Sequence, residues 1–472
     1  MTAPDHLRIT GPEDILGFIP HSLGYWPARS LVAITMQGKR LGATLRVDLP
    51  GDGGSPDWSG TPGPAGFARS VASYLAADAE ADGSLLALFT ETDGDGAPWG
   101  ELLAALENTL ADAGMPVRDA WLVGADYWRN AYCLDPSCCA PPGRPVEEIR
   151  NSRLNAEMVY RGSTVGAAPG AAVLKPPPGP PDPAVLEAQR EWTQLFSALV
   201  RDRRQFSQVL DVWARVLQAH APTLSTALTG YLRASLCVPS WRDAVLVMAA
   251  AGAEAAERGA DEFGVFHGGP PDPGGEGSLP ASEQSSRPLA PLPPLEGFPP
   301  RGPAPSRQGS GGASLRGEAP RGETPRGETP RGETTMGRGP RGGGPRKGVA
   351  GRAGGGGGAG HQRPEVPGYG EVLLGLAPPL PDWALMARLD RVLEQLCAAG
   401  GEAGAAALTG RGWIEWCRGK GSFADALFRR ADQELPGYRL AELLAELVRR
   451  GTLCGWAARR EAAWQRFEPD VA

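Results

Sequence analysis

Three cysteines, Cys133, Cys138 and Cys139, fall on one turn-rich stretch that also holds Asp135, Pro136, Pro141 and Pro142. Thiolates are soft ligands suited to zinc, and a structural zinc site closes with four tetrahedral ligands. The stretch offers three, so Asp135, His21 or a distant cysteine would have to supply the fourth. The spacing is unlike paired CxxC knuckles, which leaves three readings open: a zinc site, a redox-active thiol group, or a rigid loop packed over a sheet edge. A second group is acidic. Asp48 and the loop Glu91-Thr-Asp93-Gly-Asp95-Gly each follow an apolar run. Together Asp48, Glu91 and Asp93 have the chemistry to hold a divalent cation or to act as acid and base. No Gly-rich phosphate loop or GxSxG elbow accompanies them, and a solvated turn is the competing reading.

The elements that must position these groups are legible in the hydrophobic pattern. Ser30 to Gln37 and Arg40 to Asp48 are two β-rich runs around a polar turn with Gly38, which reads as a hairpin. Leu31, Val32, Ala33 and Ile34 put apolar side chains on both faces of the first strand, as in a strand covered on both sides. A capped helix precedes it, with Thr10 as the cap, Pro12 in the first turn and Pro20 as the stop. Phe67, Val71 and Leu75 mark a helix, Ser84 to Thr90 a buried strand, Trp99 to Ala113 a second helix and Val117 to Val123 another strand. This order implies an α/β layer with at least two parallel crossovers.

Beyond a Pro/Gly linker the period becomes helical. The organisation read from the pattern is an α/β domain over 1–165 (a mixed sheet with flanking helices), a linker over 166–183 and a helical region over 184–262. A Gly/Pro/Arg-rich insertion over 263–370, expected to be disordered, precedes a second helical region over 371–472. The insertion contains the five-residue repeat Arg316-Gly-Glu-Ala-Pro and its copies through Thr335. Near the C-terminus, Gly412, Ala424, Phe428, Ala431 and Pro436 fall where a tetratricopeptide-like helical hairpin has its small, aromatic and terminating residues, although Arg411 and Glu415 occupy positions that such a repeat fills with Leu and Tyr. That hairpin either presents a peptide groove or completes the core of the preceding helices.

Charge and composition exclude some partners. The chain carries a net charge of −7, and the segment from Gly268 to Pro364 holds 13 basic and 8 acidic residues, so the remainder is more acidic still. An acidic body disfavours nucleic acid and anionic membranes. The Arg-Gly segment lacks the interleaved aromatics that stack on bases. The longest apolar run, Val245 to Ala253, is far short of a membrane span. Seven cysteines, four of them scattered through helical patterns, suit a reduced, cytoplasmic setting.

The block Ile19-Pro-His-Ser-Leu-Gly-Tyr-Trp-Pro-Ala-Arg-Ser-Leu-Val-Ala-Ile, the strand Leu45-Arg-Val-Asp-Leu-Pro50 and the run Cys133-Leu-Asp-Pro-Ser-Cys-Cys-Ala-Pro-Pro-Gly resemble an actinobacterial domain-of-unknown-function family, family 4192. The stretches Trp416-Cys-Arg-Gly-Lys-Gly and Pro436-Gly-Tyr-Arg-Leu-Ala-Glu-Leu-Leu extend the resemblance. The long Arg-Gly insertion departs from it. The resemblance implies a fold and no mechanism. The function expected from the sequence is therefore a non-enzymatic accessory protein that binds a protein partner through the helical tail and a Trp-rich N-terminal surface. The alternative is a metal-dependent enzyme or zinc-stabilised regulator centred on the cysteine loop and Asp48, Glu91 and Asp93.

Overall fold

A computed structural model of the 472-residue chain describes residues 9–51, 55–59, 62–90, 92–93, 97–133, 135, 139, 142–170, 181–219, 222–266, 288–299 and 367–464. The strand with two apolar faces, β1 (Ser30–Gln37), is buried over its first six residues. It turns through Gly38, whose φ of 64° is left-handed, into β2 (Arg40–Asp48). With β3 (Gly83–Phe89), β4 (Val117–Val123), β5 (Tyr127–Asn130) and β6 (Arg144–Pro145), these form a six-stranded mixed sheet in the order β2-β1-β3-β4-β5-β6. β1 pairs antiparallel with β2 and β3, β3 parallel with β4, and β5 antiparallel with both β4 and β6. β2, β3 and β4 therefore run in one direction, joined by the crossover helices α2 (Gly63–Leu75) and α3 (Gly100–Asp112).

Side-chain alternation along the strands divides the core in two. Leu31, Ala33, Leu86, Leu88 and Leu122 pack with Val71, Leu75, Leu102 and Leu106 of α2 and α3. Val32, Ile34, Leu85, Ala87 and Trp121 face the other way, against α1 (Pro12–Leu23) and α4 (Glu147–Arg150). Trp99, Trp121 and Trp128 are buried in this core, while Trp26 and Trp58 stay partly exposed. Two local expectations change at α1. Gly11 occupies the cap position, while the backbone and hydroxyl of Thr10 both donate to Asp14 Oδ2. Pro20 lies inside the helix, which continues to a left-handed Gly24 whose amide donates to the Pro20 carbonyl. Its missing N–H removes one helical bond without ending the helix.

α5 (Arg153–Tyr160), capped by the Ser152 hydroxyl, closes the α/β part. The helical region begins with α6 (Pro183–Ser197), α7 (Arg203–Gln218), α8 (Thr226–Leu236), α9 (Pro239–Ala251) and α10 (Ala253–Glu262). The helix expected over Trp241 to Glu257 breaks at Gly252, whose φ of 91° no ordinary helical residue adopts. α11 (Tyr369–Leu373), α12 (Trp383–Cys397), α13 (Gly401–Cys417), α14 (Gly421–Glu434) and α15 (Arg439–Arg449) follow. Trp213, Tyr231 and Trp241 share one core with Trp413, Phe428 and Trp456, so the helices on either side of the insertion build a single helical lobe. Most of the insertion expected to be disordered lies outside the described residues. Residues 288–299 differ from that expectation: Ala290 is buried in the helical core, with Leu295 and Phe298 packed against it. Among the described residues no helix is long and apolar enough to cross a membrane.

Candidate functional site

The α/β and helical lobes meet along a short row of contacts. Tyr25, after α1, meets Phe423 of α14 edge-to-face, with ring centroids 5.4 Å apart. Arg46 of β2 donates from Nη1 to Ser422 Oγ at 2.8 Å and from Nε to Ser30 Oγ at 2.8 Å. Tyr74 of α2 lies against Gly451, where any Cβ would collide with its hydroxyl. Glu80 pairs with Arg460 at 2.5 Å.

Around this row a cleft of about 3300 Å³ opens, and its wall on the α/β side includes β2 over its full length together with parts of α1, α2 and α5. β2 is the outermost strand of the sheet, and among the described residues no further strand pairs with it. At the β1 bulge between Ile34 and Met36 the edge is braced from behind. There the Ala43 amide donates to Thr35 Oγ1 at 2.7 Å, and Thr35 and Gln37 donate to the Asp78 carboxylate. Burial pushes the Asp78 carboxyl up, but these hydrogen bonds and the Ala43 amide outweigh it and hold the group below the usual carboxylate range.

The cleft is lined by ten arginines and Lys420 against six acidic side chains, in a chain whose net charge is −7. Some of these cations are tightly held. Arg418 pairs with Asp390 and Glu415, and its guanidinium lies 5.5 Å from the Trp464 ring centroid. Lys420 Nζ is 4.5 Å from the same ring. Others are exposed: Arg449 and Arg450 share the single carboxylate of Glu446, and Arg429 pairs with Asp425. Arg29, also on the cleft, has a φ of 46°, which is strained for a residue with a side chain. The lining thus carries both signs with an excess of positive charge, and a cleft with such an excess concentrates positive potential in the space it encloses.

The residues expected to carry chemistry sit elsewhere or act locally. Asp48 ends β2 at the cleft with its side chain 79% exposed, paired with Arg46 at 2.5 Å. Asp93 Oδ1 accepts from the backbone amides of Asp126 and Tyr127, both at 3.0 Å, and so fixes the turn between β4 and β5. Glu91 lies outside the described residues, as does Cys138. Cys139 is buried and its amide donates to the Asp135 carbonyl at 2.9 Å, while the Cys133 amide donates to Asn130 Oδ1 at 3.1 Å. His21 is buried between Ser163 Oγ, 2.8 Å from Nδ1, and Asn155 Oδ1, 2.7 Å from Nε2, and ties α1 to α5. Among the described residues no group of three or more His, Cys, Asp or Glu is placed to hold a metal ion.

The C-terminal helical hairpin forms from α13 and α14. Gly412 faces the Phe428 ring, and Ala424 and Ala431 are buried, while Pro436 follows α14 in an exposed turn. α13 is buried along nearly its whole length, with Trp413 and Ile414 in the shared core and Gly410 against Leu246 and Leu393. The hairpin thus completes the helical lobe. Sequence reasoning missed the cleft residues Arg46, Arg418, Lys420 and Trp464. Arg46, Arg418 and Lys420 stand inside the stretches Leu45 to Pro50 and Trp416 to Gly421 read above, where nothing marks a shared cleft, and Trp464 carried no signal.

A three-layer α/β lobe joined to a helical lobe around a basic cleft is the class of structure that the chain defines. Residues 12–258 match the model of the family described as Domain of unknown function (DUF4192), and the chain belongs to that family. Residues 312–336 match a model described as GETHR pentapeptide repeat (5 copies). No curated protein and no solved structure matches the chain.

Proposed function

We propose that the protein is a non-enzymatic binding protein that takes an extended, acidic segment of a protein partner into the cleft, where the segment adds a strand to β2. The observation that supports this reading is the coincidence of an unpaired sheet edge with the basic lining of the same cleft. Strand addition draws affinity from main-chain hydrogen bonds and specificity from alternate side chains. Opposite charge sets the register and speeds encounter. The nine residues of β2 match an extended segment of about 30 Å.

The α13–α14 hairpin is read as tetratricopeptide-like, its role being to hold the helical wall of the cleft. A cytoplasmic setting is supported by the six described cysteines, all of which are free thiols. The metal-dependent alternative draws on Glu91 and Cys138, outside the described residues, and on Asp48 and Asp93, which are engaged in local contacts.

The test is fluorescence anisotropy with a labelled peptide of alternating Glu and Val, about nine residues long, beside a Gln/Val control. Saturable binding of the acidic peptide is expected, weakening steeply between about 50 and about 300 mM salt. It should be lost in the Arg429→Glu, Arg450→Glu double variant. Equal binding of both peptides, or preferential binding of an oligothymidylate of matched charge, would overturn the reading.

A further inference from the structure

On the helical lobe, residues 288–299 (Pro-Leu-Ala-Pro-Leu-Pro-Pro-Leu-Glu-Gly-Phe-Pro) run alongside α7 in the same direction. The manner in which they are held is that of a bound peptide. Ala290 donates from its amide to Gln205 Oε1 at 2.8 Å and accepts at its carbonyl from Gln208 Nε2 at 2.8 Å. At the far end Arg215 Nε donates to the Pro299 carbonyl at 2.9 Å and Nη2 to the Phe298 carbonyl at 3.4 Å. The polar contacts thus come from α7 side chains that recur along one face of the helix and read the backbone of the segment. Ala290 and Pro293 are buried, whereas Pro291, Leu292 and Pro294 between and beside them are exposed. Pro291 to Pro294 carry three prolines in four residues, and the segment then closes in a turn at Gly297, where the Phe298 amide donates to the Leu295 carbonyl at 3.2 Å.

We infer that this face of α7 is a binding site for proline-rich peptides, and that residues 288–299 are its resident ligand, held by recognition rather than by chain continuity. Two features support a receptor over an ordinary packed loop. Both backbone groups of one residue are read by a pair of glutamines, as a proline-rich ligand with few free amides requires. The segment lies outside the family match over 12–258, whereas its receptor helix lies inside it.

The experiment replaces residues 288–299 in the full chain with Gly/Ser of equal length and titrates this variant with a labelled synthetic peptide of the native 288–299 sequence. Saturable binding to the variant is expected, at least about tenfold weaker to the unaltered chain, whose site is already filled at high effective concentration. Adding Gln205→Ala and Gln208→Ala to the variant should cost at least about tenfold in affinity. Absence of binding to a variant that keeps its native circular dichroism and cooperative melt would overturn the inference. Should the variant fail to fold, protease sites inserted after residues 284 and 303 of the otherwise native chain put the same question. After cleavage, exchange of the nicked segment for labelled peptide supports a separable ligand. A nicked segment that never exchanges short of unfolding contradicts it.

Discussion

Arg46, on the outermost strand of the sheet, and Ser422, in the first turn of α14, are joined by a 2.8 Å hydrogen bond across 376 positions of sequence. This bond and the neighbouring Tyr25–Phe423 contact fix the two walls of the cleft relative to each other. Arg46→Ala removes a charged donor with four partners, Ser30, Ser422, Asp48 and the Ala28 carbonyl, and is expected to cost about 1.5–3 kcal/mol. Amide exchange should rise in β2 and at the start of α14, and thermal melts should show the loss. Asp48→Asn, at an exposed carboxylate, should stay within about 0.5 kcal/mol of the parent.

Gly412 has no room for a side chain, since a Cβ there would lie 2.4 Å from the Phe428 ring. Gly412→Ala should destabilise the helical lobe by about 1–3 kcal/mol through overpacking. The second-site change Phe428→Leu should recover part of that in the double variant, read by denaturant titration. Full additivity of the two changes would show that the rings and helices do not meet as described.

Asp78 has a folded pKa held below its ordinary value of 3.8. A lowered carboxylate contributes stability that is fully present above the unfolded value and is lost as pH falls through the folded one. Asp78→Asn should therefore melt below the parent at neutral pH, with the gap closing as pH falls from about 5 toward about 3. A gap constant across that range would mean that the charge on Asp78 does not brace the β2 edge.

The insertion should behave as two parts. Deleting 302–365, which is poor in apolar side chains, is expected to leave the melting temperature unchanged. Extending the deletion through 288–299 removes Ala290 from the helical core, leaves Gln205 and Gln208 without its backbone groups, and should lower stability by about 2 kcal/mol, the scale of two hydrogen bonds.

Which parts of this structure could be read in the sequence follows from the range of the interactions involved. The hairpin, the doubly covered β1 and the crossovers α2 and α3 were legible because Leu31 and Val32, adjacent in the chain, must face opposite layers, and because the Val71–Leu75 spacing has only one helical reading. The packing of Gly412 on Phe428 was also legible, being local to one hairpin. The cleft was not, because Arg46 and Ser422 carry no mark of each other in sequence. Residues 288–299 read as low complexity because proline-rich segments show neither period 2 nor period 3.6, and the side chains that hold this one, Gln205, Gln208 and Arg215, are remote in sequence. Acidic residues at strand ends drew attention as chemistry, whereas Asp93 serves to hold the backbone of the following turn.

Hydrogen exchange of the β2 amides, Arg40 to Asp48, with and without a saturating acidic peptide, tests strand addition most directly. Protection at alternate β2 residues is expected, since an added strand bonds only the outward-facing amides. Saturable binding that leaves exchange in β2 unchanged would contradict strand addition and move the partner site off the sheet edge.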